Sequence, residues 1–233
     1  ISEKILILDF GSQYTQLIAR AVREANVYCE IKPFNSAIEF DSTLKGIILS
    51  GSPASVNEAD APNVDIKAML EKLPVLTVCY GAQLSAKNFG GKVEKSNKRE
   101  YGRAQLRIQK EDIIFKNITN NSQVWMSHSD SITQLPDNFE LLADTDSIPV
   151  AAFRKKADAG NSLHGFQFHP EVYHSTEGKT MIQNFLVEVC GCQQNWTPAS
   201  FVNETVEKLK AQIGDGHVIM ALSGGVDSTV AAT

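Results

Sequence analysis

Short runs of almost unbroken apolar residues, each handed on to a helical or turn-forming segment, constrain this chain more than any other feature. Ile5-Leu6-Ile7-Leu8, Gly46-Ile47-Ile48-Leu49 and Val75-Leu76-Thr77-Val78 lack polar alternation, the pattern of strands buried on both faces. Between them, Gln16 to Ala25 has helical periodicity, with Leu17, Ala21 and Ala25 on one face. Val64 to Leu73 reads as a helix closed by Pro74, and Gln83 to Phe89 as one stopped by Gly90-Gly91. With Val27 to Lys32 as a further strand, the βαβα rhythm predicts an α/β fold: a mostly parallel open sheet with helices on both faces. Residues 103–109, 123–127, 139–144 and 149–154 read as short strands separated by Asn, Asp, Ser and Pro. They predict an antiparallel extension, or a continuation of the sheet. Leu163 to Phe168 is expected as a strand and Gly178 to Val189 as a helix.

The character changes after Cys192. Cys192 to Trp196 is irregular, and Thr197-Pro198 then has the form of an N-cap followed by proline at the first helical position. Phe201, Val202, Val206 and Leu209 give that helix an apolar face. His217 to Leu222 is expected as a new strand entering Ser223-Gly224-Gly225-Val226-Asp227-Ser228. The reading is one domain over residues 1–192, then a linker helix and the beginning of another domain over 193–233. The sequence is therefore expected to be a piece of a longer protein.

Of the 233 residues 42% are hydrophobic and 21% charged, enough for a packed core. A net charge of −5 argues against a nucleic-acid partner. No apolar stretch approaches the ~20 residues that span a bilayer, and no signal-peptide pattern is visible, so a cytoplasmic location without membrane association is expected. Four cysteines in a chain of this size do not suggest a disulfide framework. Cys29, Cys190 and Cys192 read as reduced structural residues.

Cys79 is different. It follows an apolar strand and precedes a turn at Gly81 and a helix, which would lift its thiol out at a helix N-terminus, where N–H groups favour the thiolate. Ninety residues on, His169-Pro170-Glu171 places an imidazole and a carboxylate two positions apart. Nucleophile, base and orienting acid are then all present. Each alone has an ordinary structural reading: core filler, packed histidine, solvated acid. His128, His164, His174 and His217 show no such carboxylate, and no group has metal-site spacing, so no metal is expected. Gly51-Ser52-Pro53 after a buried strand is an ordinary turn or, alternatively, an oxyanion donor at Gly51 and Ser52 acting with the N–H of Tyr80. Ser223 to Ser228 lacks the Walker spacing but could cup a phosphate at a helix start.

Cys79-Tyr80-Gly81-Ala82-Gln83 together with His169-Pro170-Glu171 resembles the class I, triad-type glutamine amidotransferases over about residues 4–192. The opening Ile5 to Tyr14, the segment Trp125-Met126-Ser127-His128-Ser129-Asp130 and the loop Ser223 to Ser228 are similar to those members that aminate xanthosine monophosphate (XMP) to GMP. The loop resembles the pyrophosphate loop of an ATP pyrophosphatase domain. The resemblance implies that Cys79 attacks the glutamine amide, that His169 protonates the departing ammonia and that Glu171 orients His169. It implies that Gln83, Ser127 and His128 grip the glutamine. It implies no cofactor for the glutaminase domain, ATP and Mg²⁺ for the intact enzyme with Ser223, Gly224, Gly225, Val226, Asp227 and Ser228 holding ATP, and a homodimer. A C-terminal synthetase domain of the same chain would receive the ammonia. Where the family often has Gly-Gly-Pro this chain has Gly51-Ser52-Pro53, which requires Ser52 to hold a backbone conformation open to a residue with a Cβ. The competing readings are a same-fold cysteine peptidase or redox chaperone, and a catalytically inert regulatory module.

Overall fold

A computed structural model describes residues 3–155 and 160–232. The first apolar run forms β1 (Lys4–Asp9), followed by α1 (Thr15–Glu24), β2 (Tyr28–Pro33) and β3 (Leu44–Leu49). The buried face of α1 is Ile18, Ala19, Ala21 and Val22, rotated from the expected Leu17–Ala21–Ala25 stripe. Then come α2 (Ile66–Lys72), whose N-cap Asp65 accepts from the Ala68 amide, β4 (Val75–Val78) and α3 (Tyr80–Asn88). The next two strands are long: β5 (Lys92–Ile108) and β6 (Ser122–Gln134) pair as a hairpin that absorbs the short strands expected at 103–109 and 123–127. The remaining strands are β7 (Phe139–Asp144), β8 (Ala152–Lys155) and β9 (Leu163–Phe166), and the last helix of this part is α4 (Gly178–Asn184). It runs on through a π-helical turn, Phe185–Val189, to the end expected from the sequence.

The nine strands form one sheet in the order β2-β1-β3-β4-β9-β8-β7-β5-β6. The five from β2 to β9 pair in parallel, and β8, β7, β5 and β6 continue in antiparallel pairing. The expected α/β architecture, parallel with an antiparallel extension, is what the chain adopts. One apolar core lies between the sheet and α1 with α4, around Ile18, Val22, Phe166, Phe168 and Phe185. Another lies around Leu8, Ile47, Leu49, Leu70 and Leu84, on the side of α2 and α3.

The chain divides into two compact units between Trp196 and Thr197. In the second, α5 (Pro198–Ile213) begins with a capping box between Thr197 and Ser200 and has Pro198 in its first turn. Its apolar residues Phe201, Val202, Val206 and Leu209 are exposed. The strand expected over His217–Leu222 is not formed. An isolated extended segment gains no ladder hydrogen bonds, and no described strand pairs with it. Ser223–Gly225 leads into α6 (Val226–Ala232). Among the described residues no helix is long and apolar enough to cross a membrane.

Candidate active site

Parallel pairing of β4 with β9 aligns Val78 with Phe166, and the Cys79 amide donates to the Phe166 carbonyl at 2.7 Å. Whatever leaves the carboxyl ends of these neighbouring strands must share one edge of the sheet. That register brings Cys79 and His169 together across ninety residues of sequence. The loops after β1 and β3 open on the same edge, beside the point where the strand order reverses around β1, a place where α/β sheets hold ligands.

The turn after β4 is built differently from the expectation. Cys79 itself, not Gly81, carries the unusual backbone, with φ +51° and ψ −105°. Such a conformation costs a non-glycine residue ~1–3 kcal/mol and is found where function needs it. Gly81 is helical, and its value is space: a Cβ there would lie 2.9 Å from both the Cβ and the carbonyl oxygen of Leu49. The turn therefore throws the thiol off the sheet while α3 packs closely over β3, with Cys79 at the helix N-cap.

His169 Nδ1 donates to Glu171 Oε1 at 2.7 Å, and both residues are buried. The imidazole also interacts with Cys79. The His169 amide donates to the Trp125 carbonyl, its own carbonyl accepts from Ser175 Oγ, and the Tyr14 ring meets the imidazole edge-on with centroids 5.0 Å apart. Burial alone would push the His169 pKa down. The negative charge of Glu171 and the interaction with Cys79 outweigh it and hold the imidazole well above its ordinary value. The arrangement favours a protonated imidazole beside the sulfur.

Cys79 and His169 sit in a cleft of about 370 Å³. Ser52 and Tyr80 line it. Gly51 backs onto it, since a Cβ there would lie 3.4 Å from His169 Cε1 and 3.7 Å from Cys79 Cβ. Ser52 has no positive φ: among the described residues the non-glycine positive φ angles fall at Asn26, Cys79, Asn117 and Asn121. Serine thus replaces glycine there without backbone strain. Gln83, Ser127 and His128 line the cleft too. The Ser127 carbonyl is 3.7 Å from Cys79 Sγ, and His128 Nδ1 donates to the Asp130 carbonyl at 2.7 Å. Gln83 is buried, and its Nε2 is committed within the protein, to the Asp130 carbonyl at 2.7 Å and to Gln167 Oε1 at 3.2 Å.

Several lining residues were given no role in the sequence reading. Ser12 and Tyr14, from the loop after β1, and Asp130 of β6, where Ser55 Oγ donates to its carboxylate, lie in segments that carry the resemblance; Tyr101 of β5 lies in none. The reversal of strand order around β1 places the first loop at the site, and it needed the topology. One histidine departs from expectation: His164 does have a carboxylate partner, Asp112 Oδ1, at 3.0 Å from its Nε2. Asp112 lies in a turn 52 residues earlier, so no spacing rule pairs them. Arg154 also binds Asp112, and burial of that carboxyl is outweighed by His164 and Arg154, which hold its pKa down at about 2. Cys29, Cys190 and Cys192 carry free thiols; burial pushes Cys29 up to about 11 and Cys192 up to about 12, and raises Cys190 as well. No group of His, Cys, Asp and Glu among the described residues is arranged to hold a metal. In the second unit, Ser223 Oγ lies 3.2 Å from Ser228 Oγ and accepts from the Gly225 amide, and Gly224 has φ +77°.

The sequence matches the family described as glutamine amidotransferase class-I over residues 6–189. The whole chain is 58% identical to a "GMP synthase [glutamine-hydrolyzing]" of Cytophaga hutchinsonii and 54% identical to one of Bacteroides thetaiotaomicron. It spans 45% of the length of each. Among solved structures, a GMP synthase subunit from Thermoplasma acidophilum superposes with a TM-score of 0.66 at 29% identity, covering 88% of this chain and 98% of that one. A glutamine amidotransferase of Thermotoga maritima shares the fold, with a TM-score of 0.60 at 18% identity over 91% of this chain and 93% of its own. The match over residues 6–189 and the cleft at the carboxyl ends of β1, β3, β4 and β9 agree: the chain belongs to the class I glutamine amidotransferase family.

Proposed function

We propose that residues 6–189 hydrolyse glutamine to glutamate and ammonia through a Cys79–His169–Glu171 triad. The observation that carries this reading is the 2.7 Å bond from His169 Nδ1 to Glu171, which leaves the other ring nitrogen to Cys79 at the end of the neighbouring strand. The Cys79 thiolate attacks the side-chain carboxamide carbon. The developing oxyanion meets backbone N–H groups at Gly51, Ser52 and Tyr80, a contribution of ~10²–10³ in rate per donor in comparable sites. His169 gives its proton to the amide nitrogen, the C–N bond breaks, and ammonia leaves a glutamyl thioester on Cys79. A water then loses a proton to His169 and attacks the thioester carbon, releasing glutamate and the thiolate. Glu171 holds the imidazole in place through both steps. Gln83, Ser127 and His128 act at the substrate end of the cleft.

The relatives' names extend the proposal to the rest of the protein. Ammonia would pass to a C-terminal synthetase domain of the same chain, where XMP is aminated to GMP at the expense of ATP with Mg²⁺, in a homodimer. Backbone N–H groups and hydroxyls of Ser223, Gly224, Gly225, Val226, Asp227 and Ser228 suit a pyrophosphate group, and ATP would supply the activation of the XMP oxygen. The test of the central step is glutamate release by the purified chain and by Cys79→Ala. The expected result is turnover in the first and none above background in the second; equal turnover in both would refute the assignment.

A further inference from the structure

Gln167, the residue after β9, is a polar side chain buried between two core phenylalanines in the sequence. Phe166 and Phe168 stack on each other with centroids 4.8 Å apart and enter the core on the α1 side. Gln167 lies between them, so its side chain points to the opposite side. There α3 carries Gln83, and Gln167 is fully buried. A buried carboxamide is costly unless both ends are bonded. Its two ends reach Gln83 and the sulfur of Cys79, the latter at 4.0 Å from Nε2.

Its orientation follows from a chain of hydrogen bonds. The Asp130 carbonyl can only accept, so the Gln83 atom 2.7 Å from it must be the NH₂ group. The same NH₂ lies 3.2 Å from the near end of Gln167, which must therefore be the carbonyl oxygen. The far end of Gln167, facing Cys79, is then its NH₂. A main-chain carbonyl of β6 thus sets the polarity of two side-chain amides in series, and the series ends on the reacting atom.

We infer that Gln167 is a further catalytic residue, an amide donor to the Cys79 sulfur whose direction is fixed by Gln83 and the Asp130 carbonyl. It stabilises negative charge on sulfur before attack and again when the thioester breaks. Gln83 accordingly has an internal task besides any contact with glutamine. The inference rests on the reading of Cys79 as nucleophile, and the experiment separates the two.

Alkylation of the full 233-residue chain by iodoacetamide is followed as rate against pH, with Cys79→Ala as background. Wild type is compared with Gln167→Met, which keeps the length of the side chain without a donor or a charge, and with Gln167→Leu, which removes both ends. Loss of one hydrogen bond to the sulfur should lower the Cys79 alkylation rate at about pH 7 several-fold and displace the profile toward alkaline pH. In the glutaminase assay kcat should fall while KM stays within about twofold, the pattern of an interaction made at the reacting atom. A residue that merely packs would lower the unfolding temperature and leave the pH profile where it was. Profiles of both variants superimposable on wild type would overturn the assignment to Gln167 while leaving the nucleophile in place. A wild-type Cys79 that reacts like a free cysteine would overturn the nucleophile reading and this inference with it. If Gln167→Leu fails to fold, Gln167→Met alone decides.

Discussion

The two halves of the sheet serve the site in different ways. The parallel half, β2-β1-β3-β4-β9, delivers the groups assigned to the chemistry: Gly51, Cys79 and His169 all leave the carboxyl ends of its strands. The antiparallel half, β8-β7-β5-β6, supplies the wall with Tyr101, Ser127, His128 and Asp130. In the first half, strands buried on both faces have no slack in register, so the Cys79–His169 approach is fixed by the same apolar contacts that fix the core. In the second, the β5–β6 ladder passes from Lys95↔Asp130 to Glu100↔His128, three more residues on β5 than on β6. A bulge of this kind re-aims a wall without disturbing the strands that hold Cys79. The seam between the halves carries a network of charge: Asp112 binds His164 of β9 and Arg154 of β8, and Arg154 also binds Glu140 of β7.

If this division is right, changes in the parallel half strike turnover, changes at the seam strike stability, and changes in the wall strike affinity. The largest effect is expected at Cys79. Cys79→Ala should lower glutamine turnover by ~10⁴-fold or more. Cys79→Gly should be as inactive yet more stable than wild type by about 1 kcal/mol, because glycine relieves the φ of +51°; thermal unfolding checks this. Next is Glu171→Gln, expected to reduce kcat by about 10²–10⁴-fold by loosening and discharging His169. It also carries a signed pH dependence. His169 is raised above 6.5 in the folded chain, so its stabilisation is fully present below 6.5 and is lost as pH rises through the higher folded value. The stability gap between wild type and Glu171→Gln should therefore narrow toward alkaline pH in denaturant titrations.

At the seam, Asp112→Asn should cost about 3 kcal/mol of unfolding free energy while leaving the turnover of folded protein within about twofold. The wild-type Asp112 carboxyl is held down from 3.8 to about 2. Its contribution should therefore be intact above 3.8 and fade as pH falls toward 2, so the two proteins converge in acid. The smallest effect belongs to the wall. Ser55→Ala, in the loop after β3, acts on the wall by removing one hydrogen bond to the Asp130 carboxylate of β6 and should raise KM for glutamine about threefold with kcat unchanged, the worth of one ordinary hydrogen bond. A fall in kcat from that change would break the distinction between the halves.

The legibility of the sequence followed the same line. The runs ending at Asp9, Leu49 and Val78 announced parallel strands because burial on both faces leaves no polar alternation, and their ends mark where Gly51 and Cys79 emerge. The 3.6-residue period found α1 but placed its face on Leu17 instead of Ile18 and Val22, since alanines on both sides weigh equally until a partner is known. The β5–β6 hairpin was visible only in pieces, because a strand with a solvated face and an internal bulge interrupts its own pattern. Asp112 beside His164 could not be read at all: 52 residues separate them, and only the packing of a turn against β9 joins them. Nor could the strain on Cys79, which the adjacent Gly81 disguised. The segment His217–Leu222 has the composition of a strand, but composition does not supply the neighbour that a strand requires.

The central claim is that Cys79, paired with His169, attacks a glutamine side chain held in the cleft. The most direct measurement treats the 233-residue chain with a glutamine analogue bearing an electrophilic ketone in place of the carboxamide, and maps the adduct by mass spectrometry with and without excess glutamine. The account predicts one adduct per chain, on Cys79, suppressed by glutamine. Labelling at Cys29, Cys190 or Cys192 instead, or labelling of Cys79 that glutamine leaves unchanged, would contradict it.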